Sequence, residues 1–285
     1  MKKMEFPKIE GFEAVEYFSG SNGRIMVGNS LTSFEKGNWT NDVVLGASFA
    51  GVPTGVLPLR QGAKGWIAHE AGPGKDEAGI GGLVIADEYG VPAAAIATME
   101  ASLGDGRTLL TGSVSRCNNA AKALGVAPGQ TGEEAAHLML KGKPGKQIDI
   151  SGRVDEETHS VDTPYGKVYL CWSTSRVKGM HPDDIFCVAS HGGETMALYA
   201  LGIMPKGVIC NDAGKGMDDS GVDGLWTLDK HGIMAATVST DTARIGYPMD
   251  TYEVGIISTI NKTAEAKGIR VGQTAREAAQ LMLKS

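Results

Sequence analysis

The stretch Gly207-Val-Ile-Cys-Asn211-Asp-Ala-Gly-Lys-Gly-Met-Asp-Asp219-Ser-Gly221 is a second version of Gly65-Trp-Ile-Ala-His69-Glu-Ala-Gly-Pro-Gly-Lys-Asp-Glu77-Ala-Gly79. Both read as a short apolar run, an acid, a glycine-rich turn and more acids. Near the end of each copy the match is closer still. Gly129-Gln-Thr-Gly-Glu-Glu-Ala-Ala-His-Leu-Met-Leu-Lys141 falls on Gly272-Gln-Thr-Ala-Arg-Glu-Ala-Ala-Gln-Leu-Met-Leu-Lys284. The chain is an internal duplication, and each half can be read against the other. What both halves keep serves architecture or a shared site, whereas polar chemistry peculiar to one half is the sharper functional lead.

Working outward, Asp42-Val-Val-Leu-Gly-Ala-Ser48 and its counterpart Asp184-Ile-Phe-Cys-Val-Ala-Ser190 are short apolar runs suited to buried strands. Helical stretches follow at about 53–61 and 194–202, then the strands 65–69 and 207–211. The next helix is expected from Asp76 or Asp218, with these acids as its N-caps. Ile80, Leu83 and Val84, matched by Val222, Leu225 and Trp226, give it one apolar face. A third strand (91–98 or 233–240) completes β-α-β-α-β, which implies parallel sheets with right-handed crossovers.

Asn118 and Asn261 are placed to cap short helices. Thr131-x-x-Glu134 and Thr274-x-x-Glu277 have the spacing of capping boxes. The fold class expected is α/β, with two similar lobes, each a parallel β-α-β-α-β core plus C-terminal helices. The lobes divide at residues 1–143 and 144–285, where Gly142-Lys-Pro-Gly145 interrupts the helix.

Composition narrows the function. A hydrophobic fraction of 42% with 21% charged residues is that of an ordinary globular chain. The net charge of −6, with no basic run, argues against nucleic acid as a partner. No apolar run approaches a membrane span, and Met1-Lys-Lys-Met-Glu-Phe-Pro7 lacks the apolar core of a secretory signal, so a cytoplasmic location is expected. The 4 cysteines form no Cys-x-x-Cys pair, and Cys117, Cys187 and Cys210 align with Ile260, Leu45 and Ala68. They read as small core side chains rather than a zinc or disulfide framework.

In open parallel sheets ligands bind beyond the carboxyl ends of the strands. There the second half is richer in ionisable groups: His191 stands where the first half has Phe49, Glu194 replaces Val52, Asp241 replaces Met99 and Arg244 replaces Ser102. The expected site is therefore in the second lobe. His191 and Asp212 are the candidates for general acid/base work. Ser190, Gly192, Gly193, Glu194, Asn211, Lys215 and Arg244 would bind substrate, with His69, Glu70 and Lys75 as first-lobe counterparts. Arg244 is the best anion clamp because a guanidinium holds a carboxylate bidentately.

If a cofactor is used, Asp218, Asp219 and Asp241 would hold a divalent cation such as Mg²⁺. Gly72-Pro-Gly-Lys-Asp76 is not a phosphate-binding P-loop, since Asp76 stands where Ser or Thr is required. These features point to an enzyme acting on a small anionic metabolite, by hydrolysis of an amide, ester or ring bond. A non-catalytic binding or sensing protein, or an isomerase or lyase using the same residues, is the alternative. A symmetric homo-oligomer is the default assembly.

Overall fold

A computed structural model describes Ile9, Gly11 and residues 13–285. It divides into two compact units. Among the described residues, one holds those up to Glu70 together with Ile80–Val154, and the other holds Ala71–Gly79 with Asp155–Ser285.

The first unit is built on a six-stranded sheet of β1 (Val15–Gly20), β2 (Gly23–Gly28), β3 (Val43–Phe49), β4 (Gly65–His69), β5 (Ala93–Ile96) and β6 (Val114–Cys117). The order in the sheet is the order in the chain. β2 to β5 run parallel, and the two edge strands are antiparallel to their neighbours. The helices are α1 (Val52–Arg60), α2 (Gly81–Glu88), α3 (Gly106–Thr111), α4 (Asn119–Lys122) and α5 (Gly132–Met139).

Side chains alternate across the buried strands, which splits the core in two. Val43, Leu45 and Ile67 pack with α3 and α5, while Val44, Trp66 and Ala68 pack with α1 and α2. Ile148 and Ile150 extend that second core, and the Ile148 N–H donates to the Leu59 carbonyl. The segment 144–150 thus packs with the first unit.

The second unit repeats the plan with β7 (His159–Thr163), β8 (Gly166–Cys171), β9 (Ile185–His191), β10 (Gly207–Asn211), β11 (Met234–Val238) and β12 (Ile257–Ile260), again in sequential order. Its helices are α6 (Glu194–Ile203), α7 (Gly224–Lys230), α8 (Pro248–Glu253), α9 (Lys262–Ala266) and α10 (Ala275–Lys284). Both halves are α/β, as their paired patterns imply. No described helix is long and apolar enough to cross a membrane.

The capping residues carry much of this architecture. Thr131 and Thr274 form complete capping boxes with Glu134 and Glu277. Asn118 and Asn261 do more than cap. Asn118 Oδ1 accepts from the Ala121 and Ala93 N–H groups and its Nδ2 donates to the Val91 carbonyl. Asn261 makes the same bonds to Ala264, Ala235 and Ile233. Each buried amide pins a short helix to the start of the last parallel strand, β5 or β11.

The expected start of α2 and α7 is corrected. Both begin a turn later, at Gly81 and Gly224, and neither Asp76 nor Asp218 is an N-cap. An N-cap needs an extended backbone, whereas Asp76 and Asp218 have φ of 54° and 55°.

Candidate functional site

Because strand order advances one step at a time, neither parallel core has the reversal that opens a crevice in doubly wound sheets. The carboxyl edge of the second sheet is shaped instead by its loops. In the second unit the glycine loop after β10 lies against the Ala71–Gly79 segment. A methyl group built on Gly72 would stand 2.8 Å from the Gly214 Cα, and one on Gly74 would stand 2.4 Å from Thr240 Oγ1. The Lys75 N–H donates to the Thr240 carbonyl at 2.9 Å.

Both loops follow the same costly path. Ala71, Asp76 and Glu77, and at equivalent places Ala213, Asp218 and Asp219, have positive φ, as does Lys215. Outside these loops Met204 alone among the described non-glycine residues does so. Each such residue costs about 1 kcal/mol or more, and such strain concentrates at functional sites. In each loop the N–H groups of the second glycine (Gly74, Gly216) and of the following acid (Asp76, Asp218) meet no acceptor among the described residues. Loops of this kind, with backbone N–H groups left over, suit anions.

The residues singled out in the sequence fall into distinct roles. Asp212 is buried, and its Oδ1 accepts from the Gly214 and Thr240 N–H groups. It ties the glycine loop to the β11 loop, while Oδ2 accepts no hydrogen bond from the described residues. Asn211 Nδ2 donates to the Ala243 carbonyl, and in the first unit His69 Nε2 makes the matching bond to Ala101, and another to Thr98. These two residues therefore do one job, pinning the loop beyond the last parallel strand, β5 or β11. Burial pushes the His69 pKa down, so its ring is a neutral strut. Glu70 Oε1 accepts from the Thr98 hydroxyl at 3.1 Å.

Arg244 is already clamped. Its Nε and Nη2 donate to the two Asp250 oxygens at 2.7 and 2.9 Å, its guanidinium stacks on Tyr247, and Asp76 lies 3.8 Å from Nε. The pair with Asp250 raises the arginine's pKa and lowers that of the acid. Lys75 Nζ reaches the Thr242 carbonyl at 3.4 Å and Asp250 at 3.9 Å. Lys215 is exposed in the second loop.

Asp218, Asp219 and Asp241 do not gather to ligand distance. Among the described residues, the acids and imidazole that approach one another within 4.8 Å as a triad are Asp155, Glu157 and His159, at the surface before β8. All four cysteines are buried and unpaired. Burial pushes the Cys171 thiol up to about 12, and Cys187 and Cys210 higher still.

His191 closes β9 and is buried. Its Nδ1 accepts the Gly193 N–H at 3.1 Å, so the neutral ring carries its proton on Nε2. A side chain at Gly193 would strike both this ring and the Ser220 carbonyl, which is why glycine stands there. Gly193 also begins α6, whose Glu194 N–H donates to Asp223 Oδ1 at 2.8 Å. Thr227 donates to Glu194 Oε2 at 2.6 Å.

Asp223 was not singled out from the sequence, although the repeat carried the signal. It aligns with Gly81, Glu194 with Val52, and Thr227 with Ile85. In the first unit this spot is an apolar contact, with a methyl on Gly81 only 3.2 Å from Val52. In the second it is a hydrogen-bonded polar cluster beside His191. Burial above all, with the charges of Glu194 and Asp219, pushes Asp223 up to about 6 against the pull of the Glu194 N–H. It can therefore exchange a proton near neutrality.

Comparison of the chain with protein-family models, with curated proteins and with solved structures found no match.

Proposed function

We propose that this protein is an enzyme that binds a small anionic metabolite at the carboxyl edge of its second sheet. The reaction would be hydrolysis of an amide, ester or ring bond by acid/base residues there. The observation that carries the reading is the turn His191–Glu194, where a buried imidazole with a fixed tautomer and the proton-exchanging Asp223 are fastened to one piece of backbone. An imidazole whose proton position is set by the backbone, beside a carboxyl raised to about 6, offers a donor and an acceptor for proton transfer at one site. His191 would hand its Nε2 proton to a leaving group or take one from water. Asp212 Oδ2 is a further acceptor at the same edge, and the loop N–H groups would receive the anionic part of the substrate.

The second reading, a binding protein without turnover, is favoured by one observation. Arg244 and Asp212 Oδ1 are already committed to protein partners, so the site holds its shape without substrate.

One experiment separates them. A panel of small carboxylates and phosphate esters is screened by thermal shift, and every ligand that binds is assayed for conversion. His191→Asn keeps an acceptor near the Nδ1 position but removes the titrating ring. An enzyme should lose roughly 100-fold or more in turnover while ligand affinity stays within a few-fold. Conversion unaffected by the substitution would overturn the role of His191, and binding without conversion of any ligand would favour the binder.

A further inference from the structure

We propose that Ala71–Gly79 is a movable strap over an oxyanion subsite, at which the Thr240 hydroxyl and the Gly74 N–H donate to a carboxylate or phosphate oxygen. The inference rests on the anionic-ligand reading above and names where that anion sits.

The starting point is an unmatched group. Thr240 is 4% exposed, and its Oγ1 is buried without a hydrogen-bond partner. Buried hydroxyls are nearly always paired, and one left over calls for a specific reason. The repeat supplies it. In the first unit the aligned hydroxyl, Thr98 Oγ1, donates to Glu70. In the second the aligned acid is Asp212, one methylene shorter, and its Oδ1 is filled by the Gly214 and Thr240 N–H groups. The carboxylate that would take the hydroxyl proton has been drawn back, and a donor is left over.

That donor points at the strap. A methyl on Gly74 would fall 2.4 Å from Thr240 Oγ1 and 2.7 Å from the Thr240 carbonyl, so only a residue without Cβ can lie there. With φ of 69°, Gly74 also adopts a backbone that other residues avoid. Its own N–H has no acceptor among the described residues, and a ligand oxygen between these donors would satisfy both. Lys75, next in sequence, adds a cation 3.4 Å from the Thr242 carbonyl.

Because Oγ1 is sealed from solvent, the strap must lift to admit a ligand. Among its fastenings within the second unit are the Lys75 N–H to Thr240, the Lys75 contacts to Thr242 and Asp250, and a 3.8 Å approach of Asp76 to Arg244, and the charged contacts among these are partly exposed and so individually weak. Its internal bonds, from Glu77 to Gly74 and from Gly79 to Pro73, would keep its shape as it moves.

The test uses the full chain with inorganic phosphate and, separately, malonate, read by melting temperature and by amide exchange of 71–79. Wild type should be stabilised by at least one of them, with slower exchange at Lys75 and Asp76; which anion works tells phosphoryl from carboxylate ligands. Thr240→Val keeps the shape and removes the hydroxyl, and should weaken the effective anion Kd by about ten-fold, whereas Thr240→Ser should retain most of it. If wild type ignores both anions, the anionic-ligand reading and this subsite fall together. If wild type responds and Thr240→Val responds equally, the subsite alone is overturned. Should Thr240→Val not fold, the wild-type exchange decides, and exchange at 71–79 unchanged by a stabilising anion overturns the strap.

Discussion

Two places in the molecule began as the same structure and have diverged. Where α1 meets α2, Val52 packs on Gly81 and a phenylalanine ends the preceding strand. Where α6 meets α7, Glu194 bonds Asp223 and Thr227, and a histidine ends the strand. The backbone plan and sheet order are unchanged, so stability did not require the exchange. Drawing the Asp223 carboxyl half out of water, beside the acid Glu194, costs free energy that the apolar contact of the first unit does not. The first unit shows what this junction looks like when only packing matters, and the second shows what was added.

The largest effect should be one both units share. Replacing Asn118 or Asn261 by Ala leaves a strand N–H and a carbonyl unpaired in the core and removes a helix cap. Each variant is expected to lose about 3 kcal/mol in denaturant unfolding. A loss confined to one of them would break the equivalence of the units.

A smaller effect separates the two junctions. The Asp223 pKa is raised to about 6 in the folded protein, above the unfolded value near 3.9. The native state then binds more protons between these limits, so stability falls as pH rises from about 4 through 6. Asp223→Asn should remove that slope. It should exceed wild type by roughly 1 kcal/mol at pH 7.5, after allowance for partial solvent screening, and match it near pH 3.5. Equal pH dependence in both proteins would show that this carboxyl titrates normally.

The smallest effect tests the sharing of one role by different side chains. His69→Asn gives the first unit the donor that Asn211 provides in the second. The bond to Ala101 should survive, and the cost should stay within about 1 kcal/mol. His69→Ala, which removes the bonds to the Ala101 and Thr98 carbonyls, should cost about 3 kcal/mol.

The architecture was legible because it rests on local rules. Apolar runs of strand length alternate with 3.6-residue periodicity, and the capping boxes at Thr131 and Thr274 are complete in four residues. Each signal appears twice, so coincidence is excluded. The antiparallel edge strands β1 and β6 were less legible, since strand direction depends on distant pairing. The helix starts at 76 and 218 were misjudged for a related reason. Asp is the ordinary N-cap residue, and nothing local announces that the backbone there is left-handed. The site was legible only in outline. Its edge of the sheet and His191 followed from comparing the copies, whereas Asp223 sits in a plain helical stretch, and its raised pKa comes from burial between two helices.

Sequence alone settled that there are two like α/β halves, and that the later one carries extra charge at its strand ends. Both facts are written in residue types and spacings. Only the tertiary structure decided what those charges do. It turned Arg244 toward Asp250, gave Asp212 to the loop amides and left the Thr240 hydroxyl without its acceptor. Hydrogen-bond partners lie far apart in the chain, and one methylene between Glu70 and Asp212 changes which of them can meet.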